Sequence, residues 1–176
     1  MNRIYLFSGI LFLMISCKSK ETPPQKDFYI ENDSINLYAF IGEKISVTQF
    51  DPNSTKEQTE IDTLTGEEIV HKSIVMDYAF NVKYKVIKNV FNNLKTDTIN
   101  FVVFDHYGPP KFENYQSVLL YISYNKEKKT YYHQKYVFDI VTKDSNGKLM
   151  EISGKNLKDI FEEKQKGVFK ARDIFK

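Results

Sequence analysis

From Ile74 to Val86 the chain keeps apolar residues on every second position. Ile74, Met76, Tyr78, Phe80, Val82, Tyr84 and Val86 fall on one side, and Asp77, Asn81, Lys83 and Lys85 on the other. A repeat of two is the period of a β-strand, so this stretch predicts a long strand with one buried face. A lone strand cannot bury that face. The chain must supply partner strands, and the pattern supplies them. Leu37 to Phe50 predicts an earlier strand with Gly42 inside it. A glycine at such a position marks a bulge or sharp coil, the device by which a sheet turns a barrel corner.

Further strands are predicted at Thr98 to Phe104, after a turn at Asn92-Asn93, and at Val118 to Tyr124. After the charged turn Asn125 to Lys129 comes Tyr131 to Val141, and Asp144-Ser145-Asn146-Gly147 leads to a short strand at Lys148 to Ile152. On the late hairpin, Val118, Leu120, Ile122, Tyr132, Tyr136, Phe138 and Ile140 share the parity assigned to the core. Leu119, Tyr121, Tyr131 and His133 fall opposite, a face too apolar for open solvent. One helix is predicted near the end. Asn156 caps it, Leu157, Ile160, Phe161 and Lys164 share its stripe, and Gly167 stops it. That stripe suits the second face of the hairpin. A short helical turn is predicted near Asp33 to Tyr38. With 12 Tyr, 14 Phe and no Trp, the composition suits strands. The fold class expected is mainly β, a small five- to six-stranded antiparallel, OB-like barrel with a C-terminal helix over residues 28–176.

The stretches "YAFIGEKISV", "AFNVKYKVIKNVFNN", "DTINFVVF" and "SVLLYISY", within residues 35 to 125, resemble the netrin-like barrel, also called the tissue-inhibitor-of-metalloproteinase-like barrel. The resemblance implies an OB barrel. It implies no protease inhibition, because the animal inhibitors use an N-terminal Cys-x-Cys and several disulfides, and this chain has one cysteine.

That cysteine, Cys17, directly follows an apolar run. Arg3 supplies a positive start, and Ile4 to Ile15 form the run. As a helix it would span about 18 Å, short of the roughly 30 Å of bilayer hydrocarbon. Met14-Ile15-Ser16-Cys17 resembles the lipobox of bacterial lipoprotein precursors. The resemblance implies signal peptide 1–16, cleavage between Ser16 and Cys17, and diacylglycerol on the Cys17 thiol. Palmitate-type acylation of the new amine is also implied. Residues 17–27 are polar with Pro23-Pro24, a semi-extended tether. Lys18 favours the outer membrane over inner-membrane retention in such lipoproteins. The expected location is the bacterial cell envelope.

Past the leader, 24 Lys plus Arg stand against 23 Asp plus Glu, so no nucleic-acid footprint is expected. Nor is there a Gly-x-Ser-x-Gly, P-loop or dinucleotide loop. His71, His106 and His133 lack a second ligand at metal spacing, and the acidic stretch Asp51 to Glu68 lacks calcium-loop register. It reads as a solvated hairpin loop. Neither metal nor cofactor is expected. "FDHYGPPKF" (104–112) stands out, with Gly108-Pro109-Pro110 stiffening a loop that carries Asp105, His106 and Tyr107. Those three, with Tyr121 and Tyr131, are the candidate binding residues. Asp33-Ser34-Ile35, Asp62-Thr63-Leu64 and Asp97-Thr98-Ile99 resemble an O-glycosylation sequon used by some bacteria on exported proteins.

Three functional readings follow. The first is a membrane-anchored lipoprotein with a non-catalytic binding or scaffolding barrel. The second is a carbohydrate- or peptide-binding module. The third is an enzyme whose site gathers Asp77, His106 and His133.

Overall fold

The computed structural model describes residues 28–54, 58–71, 74–145 and 147–176. The lipobox, Cys17 and the tether to residue 27 lie outside the described residues, as do Lys56 and Glu57. The elements run β1 (Tyr38–Phe50), β2 (Gln58–Ile61), β3 (Glu68–His71), β4 (Tyr78–Phe91), β5 (Thr98–Asp105), β6 (Ser117–Asn125), β7 (Thr130–Lys143), β8 (Leu149–Glu151) and α1 (Leu157–Lys164). Strands β2 and β3 pair as a separate two-stranded ribbon within the acidic segment.

The main sheet has the order β5-β4-β1-β6-β7-β8. Its neighbours are antiparallel, and a short parallel pairing of β5 with β7 closes a ring of five strands. Closure removes the exposed edges an open sheet would present. It requires β1 to serve two neighbours around a bend. Register shifts at Ala39/Phe40, Ile41/Gly42 and Lys44/Ser46 supply that bend. Gly42 is demanded there by space: a Cβ would sit 2.8 Å from Phe40 Cε2 and 3.0 Å from Tyr84 Cδ1.

Both faces of the central strands are buried. Phe40, Val82, Tyr84, Phe101, Val118 and Leu120 fill the barrel, joined by Phe112 from the β5–β6 connection. Ala39, Ile41, Phe91, Leu119 and Tyr121 face outward and meet Leu157, Ile160, Phe161, Phe169 and Phe175. The C-terminal helix therefore covers the second face of the hairpin, as its stripe predicts. Asn156 caps it, its side-chain oxygen accepting the Asp159 N–H at 3.0 Å.

Several expectations need correction. Ile74, Met76 and Tyr78 are not core: Met76 is 82% and Tyr78 50% exposed, and burial begins with Phe80. The strand starts at Tyr78 and runs on to Phe91, because the alternation before Tyr78 has no neighbour on which to pack. Gly167 does not stop the helix. It lies in a π-helical turn, Gln165–Phe169, and the extra residue shifts the phase so that Phe169 packs on Tyr121 with ring centroids 5.0 Å apart. Asp33 and Ser34 form a hydrogen-bonded turn, with the Asn32 side chain accepting the Ser34 N–H, and not a helix.

The parity of β7 is also corrected. On β6, Leu120 pairs with Phe138 and Ile122 with His133, so two positions oppose five. The surplus is taken up around Tyr136, a non-glycine residue at φ 64°. Before this bulge Tyr131 points into the barrel; after it Phe138 does, and Val137 and Val141 face the helix. Tyr132 and Tyr136 are thus outside the core. Tyr132 stacks on Phe104, and Tyr136 is 51% exposed.

These burials separate two neighbouring aromatics. Phe80→Asp is expected to cost at least about 3 kcal/mol, since it buries an unpaired charge. Tyr78→Asp is expected to stay within about 1 kcal/mol. Urea unfolding of both variants checks the pair, and equal losses would contradict this inward face.

Candidate functional site

At one pole of the barrel β5 ends, β6 begins, and the 106–116 connection crosses between them. Gly108 sits at φ 114°, a conformation only glycine adopts cheaply. Pro109 and Pro110 follow, and Pro110 leads into a 3-10 turn, Lys111–Asn114, that drives Phe112 into the barrel. Beneath this loop the β5–β7 seam opens. The pairing extends only over Phe101↔Tyr131 and Val102↔Tyr132 before β7 bulges away. The gap is a cleft of about 420 Å³, lined by Val103, Phe104, Asp105, Tyr107, Pro109, Pro110, Lys111, Phe112, His133, Tyr136 and Phe138. That volume lies in the range of small-molecule sites.

Tyr107 and Tyr136 stand at the rim with centroids 6.1 Å apart and planes 37° apart. Tyr107 is 82% exposed. The Asp105 carboxylate is buried and accepts the Tyr107 N–H at 2.9 Å, which fixes the start of the loop. The Tyr136 hydroxyl accepts the His106 N–H at 3.3 Å, tying the β7 bulge to the same loop.

His133 lies deep in the cleft, its ring 4.9 Å from Phe112 and 6.3 Å from Phe101. Both ring nitrogens are shut off from solvent, and the Val137 backbone lies near enough to offset part of the effect of burial on the ring. Burial pushes its pKa down to about 3, so the ring is neutral at pH 7.

Beside the rim, Asp77 joins three elements. One carboxylate oxygen lies 3.3 Å from His106 Nδ1, and the other 2.5 Å from Lys135 Nζ. The hydrogen bond from Lys135 holds the Asp77 carboxyl below the usual carboxylate range, and His106 adds to the effect. The same bond raises the Lys135 ammonium.

The sequence candidates therefore divide. Asp105 and Tyr107 line the cleft with His133, whereas the His106 side chain meets Asp77 beside the rim and not His133. Tyr121 does not join them. It is fully buried beneath the helix, with its hydroxyl donating to Asp139 Oδ2 at 2.7 Å. Asp139 in turn meets Lys164 Nζ at 2.8 Å, so the trio fastens helix to sheet. Tyr121 is withdrawn from any binding surface for that reason. Tyr131 packs edge-on against Tyr38 at 5.4 Å and against Tyr124 at 4.9 Å, near the opposite pole.

Phe112, at the end of the 104–112 loop, was missed as a site residue, and so were Lys135, Tyr136 and Phe138 of β7. The approach of the three β7 residues to the loop depends on the bulge, and no turn residue in the sequence signals it. Among the described residues, no group of three His, Cys, Asp or Glu stands close enough to hold a metal ion. No helix among them is long and apolar enough to cross a membrane. Ser34, Thr63 and Thr98 of the three sequon-like sites are all exposed. The Asp62 side chain also accepts the Leu64 and Thr65 N–H groups, so that aspartate has a turn-forming role of its own. No family model, no curated protein and no solved structure matches the chain.

Proposed function

We propose that this protein is an exported bacterial lipoprotein, anchored in the cell envelope through lipid on Cys17, whose OB-like barrel binds a partner or ligand without catalysing a reaction. The observation that carries the binding half is the cleft between the 104–112 loop and the β7 bulge, with Tyr107 and Tyr136 at its rim. The anchor half rests on Met14-Ile15-Ser16-Cys17 and the short apolar run before it. Diacyl or triacyl attachment holds far more firmly than one chain, at about 0.8 kcal/mol per buried methylene.

The topology suits this arrangement. Ile30 bridges Phe91, and Asn32 is held by Asn92, so the N-terminal segment joins the barrel at the pole of the β4–β5 turn. The cleft opens at the opposite pole. A tether of residues 17–27 reaches at most roughly 36–40 Å when extended, long enough to let the cleft turn away from the bilayer.

Two features favour binding over catalysis. The cleft lining contains no Ser, Thr or Cys to act as nucleophile. A His133 ring with pKa about 3 is a weak general base at neutral pH.

The test has two arms. Labelled palmitate should enter the wild-type chain and not Cys17→Ala. A photoreactive residue replacing Tyr107 should give a discrete adduct in intact cells, and one replacing the exposed Leu64, on the β2–β3 ribbon, should give none. Label retained in Cys17→Ala would end the anchor, and identical adduct patterns at the two positions would end the cleft.

A further inference from the structure

His133 is a base that the folded chain keeps uncharged. Its ring lies against Phe112 and Phe101, and both nitrogens are shut off from solvent. An imidazolium is excluded there. Desolvation opposes it most, the Arg172 charge adds to the effect, and the Val137 backbone offsets part. To take a proton the ring must reach water, so a wall around it has to give way.

The walls differ in strength. Behind Phe101, β5 pairs with β4 at eight consecutive positions. Phe112, by contrast, is carried by the 106–116 connection, which contains no strand. His133 itself adjoins the β7 bulge, where the ladder to β6 is broken between Ile122 and Leu120. Tyr136 in that bulge holds φ 64°, a costly conformation for a bulky residue. Side chains close the loop onto the bulge. The His106 N–H donates to the Tyr136 hydroxyl at 3.3 Å, Tyr107 leans on the Tyr136 ring, and Asp77 bridges His106 and Lys135. Arg172 steadies the bulge from the C-terminal segment, donating to the Lys135 carbonyl at 2.9 Å and to Gln134 Oε1 at 3.1 Å. The cleft already parts loop from bulge beside His133. The loop is therefore the wall that yields first.

The other charged groups at this seam are weaker triggers. Asp77, His106 and Lys135 are all partly exposed, and pairs of that kind shift equilibria little. Lys135 also keeps the Asp77 carboxyl ionised below the usual carboxylate range. Asp105 and Lys111 line the cleft with opposite charges.

We propose that the 106–116 connection is an acid-released lid: protonation of His133 lifts Phe112 off the ring and opens the cleft between loop and β7 bulge, against the clasp made by Asp77. The open state holds the extra proton. A closed ring binds it only near pH 3, and a solvated ring near 6.5. Opening is thus favoured tenfold for each pH unit below 6.5, down to about 3, and this ring adds no pH dependence above 6.5. The device acts on the cleft whatever occupies it.

The full-length chain in detergent is followed by hydrogen exchange at pH 7.5, 6.5 and 5.0, with each rate divided by the intrinsic rate at that pH. The amides of His106, Tyr107, Glu113 and Tyr115 are all hydrogen-bonded in the closed loop. Their protection should fall roughly thirtyfold between pH 6.5 and 5.0, while β4 from Phe80 to Val90 keeps its own. His133→Phe, checked for folding by circular dichroism, should abolish the fall. His106→Asn should retain it. Asp77→Asn should lower loop protection at every pH and leave the slope unchanged. Constant loop protection in the wild-type chain would overturn the proposal, and so would an equal fall in His133→Phe. Loss of β4 protection in step with the loop would overturn it too, because that is global acid unfolding. A fall abolished by His106→Asn would move the trigger to His106 and end the role of His133. Should His133→Phe not fold, the wild-type slope and the other two variants still decide.

Discussion

A chain ending at Gly154 is expected to lose most or all of its stability. Truncation there removes Leu157, Ile160, Phe161, Phe169 and Phe175, all buried against the outer face of the barrel. At about 1.5–3 kcal/mol for each buried side chain, the loss sums to roughly 7–15 kcal/mol. A domain of this size is stable by only about 5–15 kcal/mol in total. Truncation also strips Lys164 from Asp139 and uncovers Leu119 and Tyr121, which are fully buried in the intact chain. The truncated protein should bind a hydrophobic dye and lack a cooperative thermal transition. Phe161→Ala, which leaves the helix in place, should cost about 3–5 kcal/mol. A truncated chain that melts like the full one would show that the barrel stands without its cover.

Asn92→Ala should be the most damaging polar substitution, at about 3–5 kcal/mol. Asn92 is buried, and its side chain joins the end of β4 to the segment before β1. Its oxygen accepts the Asn32 N–H at 2.7 Å. Its amide shares two hydrogens among the carbonyls of Asn32, Ile35 and Leu37 at 2.9–3.1 Å. Removing it orphans these groups in a place that water reaches poorly. Its backbone is at φ 52°, where alanine is strained and asparagine is tolerated. Asn92→Gly relieves that strain while losing the same bonds, so it should cost less than alanine, and the difference measures the backbone share. Urea unfolding gives the totals. Hydrogen exchange at Ile30, whose N–H bonds the Val90 carbonyl at 3.1 Å, should quicken in both variants. Unchanged exchange there would mean that Asn92 is not the clasp.

Much of the candidate site was already visible in the residues 104 to 112. Gly108-Pro109-Pro110 beside Asp105, His106 and Tyr107 marks a stiff loop with polar and aromatic side chains, and the cleft lies under that loop. Asp77 and His106 also meet, although 29 positions separate them in the chain. The far wall was not visible. Period-two reading assumes that a strand keeps its phase, and β7 changes phase at Tyr136. That one break moved Tyr132 and Tyr136 out of the core and brought His133 to the floor of the cleft. Asn92 was legible only as a turn residue, because its value lies in carbonyls 55 to 60 positions away.

By itself the sequence determined the β class, the bend at Gly42, the cap at Asn156 and the amphipathic helix, because each follows from local spacing and local sterics. It determined that both faces of β6 are apolar, and hence that something must cover the outer one. Only the tertiary structure decided where β4 stops being buried, that β7 bulges, and that β5 and β7 part above Val102 and Tyr132. Those outcomes depend on which strand lies beside which, and ring closure is a property of all five strands at once. The cleft exists because that closure is incomplete, and no single stretch of the chain encodes it.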